Sequence, residues 1–115
     1  MNISIRTRSG EWTAELYSSD ITNEIWLSLP FSATINIFGS QIYFEMPLDN
    51  RVKGDSKEFE KGDIAYWPDA GALCIFFGPS MGIDVLMKKI GRVICDCDDM
   101  ELSGDRTRIT LNRSF

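Results

Sequence analysis

Apolar and polar residues alternate along most of this chain in short runs, the period of half-buried strands. Ile3 and Ile5 alternate with Asn2, Ser4 and Arg6, and Trp12, Ala14 and Leu16 alternate with Glu11, Thr13 and Glu15. Ser9-Gly10 lies between the two runs, so residues 2–8 and 11–17 are expected to form a hairpin. One segment then changes period. Ile21, Ile25 and Leu29 recur at helical spacing with Trp26 beside them. Asp20 is placed to cap this helix, and Pro30 ends it, because the residue before a proline avoids helical backbone. The pattern predicts a helix over residues 21–28.

The strand period returns at once. Ala33, Ile35 and Ile37 alternate with Ser32, Thr34 and Asn36. After a Gly39-Ser40 turn, Ile42, Phe44 and Met46 alternate with Gln41, Tyr43 and Glu45. The pattern assigns Ile35, Ile37, Ile42, Phe44 and Met46 to the interior and puts Asn36, Phe38, Gln41, Tyr43 and Glu45 outside. Segments 64–67 and 72–77 flank a Pro68-Asp69-Ala70-Gly71 turn. Residues 88–95 and 106–112 read as the last strands, with one helical turn at 98–102 between them. The polar stretch 49–57 reads as a long exposed loop inside one domain. About eight short strands and a single clear helix predict a mainly β chain, curled into a closed or nearly closed barrel that leaves few exposed edges.

Composition narrows the chemistry. A chain of 115 residues is expected to form a single domain, 1–115. Its 12 Lys and Arg against 17 Asp and Glu leave a net charge of -5, which argues against nucleic acid or an anionic membrane as partner. There is no histidine, so no Ser-His-Asp, Cys-His or His-ligated metal scheme can be assembled within one chain. No apolar run approaches the roughly 20 residues that span a bilayer. Arg6, Arg8, Glu11 and Glu15 interrupt any signal-peptide pattern, so a cytoplasmic address is expected, with Cys74, Cys95 and Cys97 reduced. In a strand, Cys95 and Cys97 would share one face, but two thiolates fill only half a tetrahedral shell. Asp96, Asp98, Asp99 and Glu101 lack the spacing of a calcium loop. No metal and no cofactor is therefore expected. No Gly-rich phosphate loop or pair of cleft carboxylates is recognisable.

From Gly62 the residue order becomes specific. Gly62-Asp63-Ile64-Ala65-Tyr66-Trp67-Pro68 precedes Gly71-Ala72-Leu73-Cys74-Ile75-Phe76-Phe77-Gly78-Pro79, and Lys89-Ile90-Gly91-Arg92-Val93-Ile94 follows. This resembles the order of cyclophilins, and more closely the small prokaryotic cyclophilin-like proteins of unknown function. Leu29-Pro30-Phe31, Asn36, Gly39 and Ile42-Tyr43-Phe44 fit the same family, so the likeness runs over residues 28–95. It implies a closed eight-stranded cyclophilin-like β-barrel with one or two short helices. It does not imply the isomerase. The arginine-bearing motif Arg-Val-Ile-Pro-x-Phe-x-x-Gln is replaced by Ile35-Asn36-Ile37-Phe38-Gly39-Ser40-Gln41-Ile42-Tyr43, and the groove histidine is missing. Without that arginine the term that stabilises the twisted prolyl amide is largely lost.

The expected function is binding of a small ligand or an extended peptide in a groove on the outer barrel face. Asn36, Gln41, Tyr43 and Glu45 would supply hydrogen bonds. Phe38, Trp67 and Phe77 would supply stacking surface, Trp67 facing out because it alternates with Ile64 and Tyr66. The cyclophilin likeness adds Leu73, Ile75 and Phe77 to the groove. No catalytic residue is assigned. A prolyl isomerase with altered groove chemistry is the alternative from another class. A third reading buries the aromatic patch between subunits of a small homo-oligomer.

Overall fold

The two opening runs pair as their alternation requires. In the computed structural model, which describes residues 1–80 and 85–114, β1 (Asn2–Thr7) and β2 (Gly10–Leu16) form an antiparallel hairpin with Ile5 opposite Trp12 and Ile3 opposite Ala14. Every second side chain of this hairpin is buried, which is the alternation read directly as burial.

Helix α1 (Asp20–Leu27) follows. Its cap is Ser19, not Asp20. The Ser19 Oγ accepts the Thr22 backbone N–H at 3.3 Å, and the Thr22 hydroxyl oxygen accepts the Ser19 N–H at 2.9 Å, which makes a reciprocal capping box. Asp20 instead opens the first turn, where its carboxylate meets the positive end of the helix dipole. Ile21 and Ile25 bury the inner face.

The expected strand over residues 32–38 is cut in two. β3 (Phe31–Thr34) pairs with the last strand, β4 (Asn36–Phe38) pairs with β5 (Gln41–Glu45), and Ile35 marks the change of partner. The Ile35 N–H donates to the Thr107 carbonyl, and the Ile35 carbonyl accepts from the Arg106 N–H. This division is why nine strands appear where eight were expected. β6 (Asp63–Trp67) and β7 (Ala72–Phe76) form a hairpin around the expected turn at Pro68, where Gly71 adopts a positive φ of 60°. β8 (Lys88–Val93), a short 3₁₀ helix at Asp98–Ser103 and β9 (Arg108–Arg113) complete the chain.

The nine strands form one sheet in the order β3-β9-β1-β2-β8-β6-β7-β5-β4. Because β3 and β4 are consecutive halves of one segment, the sheet returns on itself and the barrel is nearly closed. Its interior holds Ile3, Ile5, Leu16, Ile35, Ile42, Phe44, Ile64, Leu73, Ile75 and Ile109 in a continuous core. The Tyr66 hydroxyl, buried there, donates to the Met46 carbonyl at 3.0 Å.

A second, smaller core lies on the outside. Phe59, Ala65, Cys74, Phe76 and Met87 pack together against the outer face of β6 and β7. The stretch after β5 is therefore not simply an exposed loop. Ser56 bridges to Met87 and Phe59 to Ser80, and the Glu24 carboxylate of α1 accepts the Asp49 and Asn50 N–H groups. Pinned in this way, the stretch lays the Phe59 ring flat on Phe76, centroids 4.5 Å apart.

Candidate functional site

The registers arrange the outward side chains of β4, β5, β7 and β6 in three rows. Phe38 lies opposite Gln41, and Gln41 opposite Phe76. Asn36 lies opposite Tyr43, then come Cys74 and Ala65. Glu45 lies opposite Ala72, and Ala72 opposite Trp67. The expected outer-face residues Asn36, Phe38, Gln41, Tyr43, Glu45 and Trp67 do share one surface. The surface is not one open groove.

Its middle is covered. Tyr43 and Trp67 meet edge to face with centroids 6.3 Å apart, and both pack against the outer core beneath Phe59 and Met87. Among the described residues, two buried polar atoms of this face have no hydrogen-bond partner, the Gln41 Oε1 and the Trp67 Nε1. Such orphans in a buried setting cost free energy. At the tip of the β4–β5 hairpin, Phe38 is 70% exposed and stands clear of both cores. Leu73 and Ile75 are in neither place. They alternate with Cys74 and Phe76, so they point into the barrel interior and are fully buried there. The cyclophilin likeness had placed them in the groove. The strand's two-residue period puts them on the opposite face from Tyr43 and Trp67. Phe77, just past β7, is half-buried against the main core.

The open part lies at the other end of the face, where β3 and β5 diverge beyond Ile35. A cleft of about 440 Å³ opens there. β3 lines it with Phe31, Ser32, Ala33 and Thr34, β4 with Asn36, β5 and the residue beyond it with Glu45 and Pro47, and Arg106 joins them. Phe31 packs beneath against Phe44, with ring centroids 6.4 Å apart. Two expected site residues, Asn36 and Glu45, thus line an open cleft. Phe31, Ser32, Thr34 and Arg106 belong to it although the sequence did not single them out. The signal was weak, since Ser32 and Thr34 read as an ordinary solvated strand face.

A second hollow, about 460 Å³, lies where Tyr17–Ile21 face the 50–52 stretch and the start of β8. Its lysines are already paired, Lys88 with Asp55 at 3.0 Å and Lys89 with Asp63 at 3.5 Å. Neither guanidinium of Arg106 and Arg108 has an ion pair or hydrogen bond among the described residues.

The thiols differ in setting. Cys74 is enclosed in the outer core, and burial pushes its pKa up to about 12. Cys97 is buried, with its pKa raised mainly by burial, while Cys95 is exposed. The expected shared face for Cys95 and Cys97 does not form, because β8 ends at Val93 and the chain bends before them. In the acidic turn that follows, the Lys61 ammonium contacts both Asp96 and Asp98. Among the described residues no three Cys, Asp or Glu side chains come together as a metal site, and no helix is long and apolar enough to cross a membrane.

These features can be set beside known proteins. The family described as Cyclophilin-like matches residues 1–112. The solution structure of the hypothetical protein AF2241 from Archaeoglobus fulgidus is 30% identical, with a TM-score of 0.75 over 99% of this chain and 95% of that one. McbB, solved in complex with tryptophan, has a TM-score of 0.76 at 18% identity; the match covers 97% of this chain but 44% of that one, and shows a shared fold. No curated protein matches. With its nine-stranded barrel, its Gly-Asp and Tyr-Trp-Pro landmarks and a family match across nearly its whole length, the chain belongs to the cyclophilin-like family.

Proposed function

We propose that this barrel is a non-catalytic binding module, and that its ligand, a small molecule or an extended peptide, lies in the cleft between β3 and β5. The observation that carries this reading is the cleft of about 440 Å³ itself, lined by Asn36 and Glu45. That volume falls within the range of small-molecule sites, roughly 300–1,000 Å³. The lining suits a polar ligand: hydroxyls from Ser32 and Thr34, an amide from Asn36, a carboxylate from Glu45 and a guanidinium from Arg106 accompany the apolar Phe31 and Ala33. Tyr43 and Trp67 then act from beside the cleft, on the same face. Their edge-to-face contact ties β5, which carries Glu45, to β6.

The test is to screen the ¹⁵N-labelled chain by NMR against a small-molecule fragment set and a set of short extended peptides. Hits are expected to shift the amides of 32–36 and 45, and to weaken in Asn36→Ala and Glu45→Ala variants. Hits that cluster instead around 17–21 and 50–52 would move the site to the other hollow and refute this reading. A protease-coupled prolyl peptide assay separates the classes. Turnover that disappears in either variant would make the protein an isomerase and overturn the non-catalytic part.

A further inference from the structure

Next to the cleft, and sharing Ser32, Ala33, Thr34 and Arg106 with it, a shallower hollow of about 310 Å³ is completed by Arg108. We infer that this hollow is the anchoring subsite of the cleft, and that it holds an oxyanion of the ligand, a carboxylate or a phosphate group, between the Arg106 and Arg108 guanidiniums and the Thr34 hydroxyl. The inference rests on the ligand-binding reading and names the ligand chemistry.

Four observations carry it. First, the register of β3 against β9 sets Thr34 directly opposite Arg108, so a hydroxyl donor and a guanidinium share one side of the sheet. Second, the charges are uncompensated. Neither of these neighbouring arginines has a carboxylate within ion-pair distance among the described residues; most other basic side chains, Arg51 included, are likewise unpaired there, and what marks this place is that two such guanidiniums line one hollow. The nearest acid in sequence, Asp105, makes no ion pair with either; its carboxylate accepts the Ile37 N–H at 2.9 Å. Third, the backbone at Arg106 has a φ of 66°, alone among the described non-glycine residues. That region is sterically unfavourable for an L residue, and strain of this kind gathers at functional sites. The Arg106 N–H, bonded to the Ile35 carbonyl at 2.9 Å, fixes this conformation where β3 gives way to β4. Fourth, Glu45 lines the adjoining cleft but not this hollow. An anion at Glu45 would be repelled, so the ligand has a preferred direction, with its negative end on the arginines.

Two guanidinium forks suit planar or tetrahedral oxyanions better than ammonium groups do, because each offers parallel N–H donors in fixed geometry. The site is open to solvent, so its pull is weakened by salt and its affinity for a bare anion is low.

The experiment titrates the labelled full-length chain separately with inorganic phosphate and with acetate at constant ionic strength, with chloride as reference. The readout is the Nε–Hε resonances of Arg106 and Arg108 and the amides of 32–34. Saturable shifts at both arginines, beyond those in chloride, are expected, and the anion with the lower dissociation constant identifies the group. Arg106→Gln and Arg108→Gln should each weaken binding by about tenfold, the loss of one charge-assisted hydrogen bond. Arg51→Gln, in the other hollow, should leave it unchanged. Arg108→Lys keeps the charge without the fork and should fall between. Shifts no larger than in chloride, or equal in the Arg51 and Arg108 variants, overturn the inference, and the wild-type arginine resonances decide this even if a variant fails to fold. The two readings fail separately. A ligand that binds the cleft with unchanged affinity in Arg106→Gln and Arg108→Gln refutes the subsite alone. Anion binding without any cleft ligand refutes the larger reading.

Discussion

Cys74 shows how far burial alone alters a side chain's chemistry. Its thiol is fully enclosed beside Ala65 and Phe76, and its pKa is pushed up to about 12. In the unfolded chain the thiol ionises near 8.5. Its contribution to stability is therefore intact below that pH and is lost as pH rises toward 12. Equilibrium urea denaturation of Cys74→Ala at a series of alkaline pH values should show a shallower fall in stability than the wild type. A thiol reagent at pH 8 should label Cys95 quickly and leave Cys74 unlabelled until the protein unfolds, as peptide mass spectrometry would read. Equal rates at the two thiols would contradict the buried placement. The apolar run around Cys74 made its burial legible. That its outward side of the strand is covered by a second core, and not left to solvent, was decided by the arrival of Phe59. Gly91 carries a second residue-scale constraint. A Cβ there would lie 2.3 Å from the Glu15 carbonyl oxygen and 3.1 Å from the Leu16 Cα, backbone that cannot move aside. Gly91→Ala should cost about 1–3 kcal/mol, the usual penalty of overpacking, measurable by urea denaturation.

At the scale of elements, α1 and the outer core are held by small numbers of specific contacts. Removing the Ser19 hydroxyl dismantles the capping box, so Ser19→Ala should lower stability by about 1 kcal/mol, whereas Asp20→Ala should do much less. Near-equal losses would return the capping role to Asp20. Sequence alone suggested the helix and its end at Pro30, but Ser19 and Asp20 are both good caps, and only the backbone conformation chooses between them. The outer core depends on one ring. Phe59 is fully buried and stacked on Phe76. Phe59→Ala should cost about 3–5 kcal/mol if its site cannot collapse. It should also expose Trp67, shifting the tryptophan emission to longer wavelength. An unshifted spectrum would show that Trp67 does not depend on this cover. The sequence carried little warning of this roof, because Phe59 is a lone apolar residue between Glu58 and Glu60. An isolated aromatic in a charged stretch has no periodicity to read.

For the whole molecule the decisive event is the closure of the sheet. The segment 31–38 pairs with β9 in its first half and with β5 in its second. Since the Ile35 N–H points to Thr107, the N–H groups of Ser32 and Thr34 point the other way, toward the open seam. Their amide hydrogens should exchange far faster than those of Ala33 and Ile109, and a cleft ligand should slow them. Equal protection of Ala33 and Thr34 would mean that the seam is closed in solution. Local alternation determined which residues are strands and which side chains face the core, because a period of two needs only neighbouring residues to be expressed. The order of glycine, aromatic and proline landmarks likewise pointed to the cyclophilin-like family. What no local pattern contains is the pairing of distant segments. The change of partner at Ile35, the roof of Phe59 and Met87, and the meeting of Thr34 with Arg108 across 74 residues of chain all arise from long-range contacts. Those contacts form only when the whole sheet closes and buries its two apolar faces together, and so the site was left for the tertiary structure to decide.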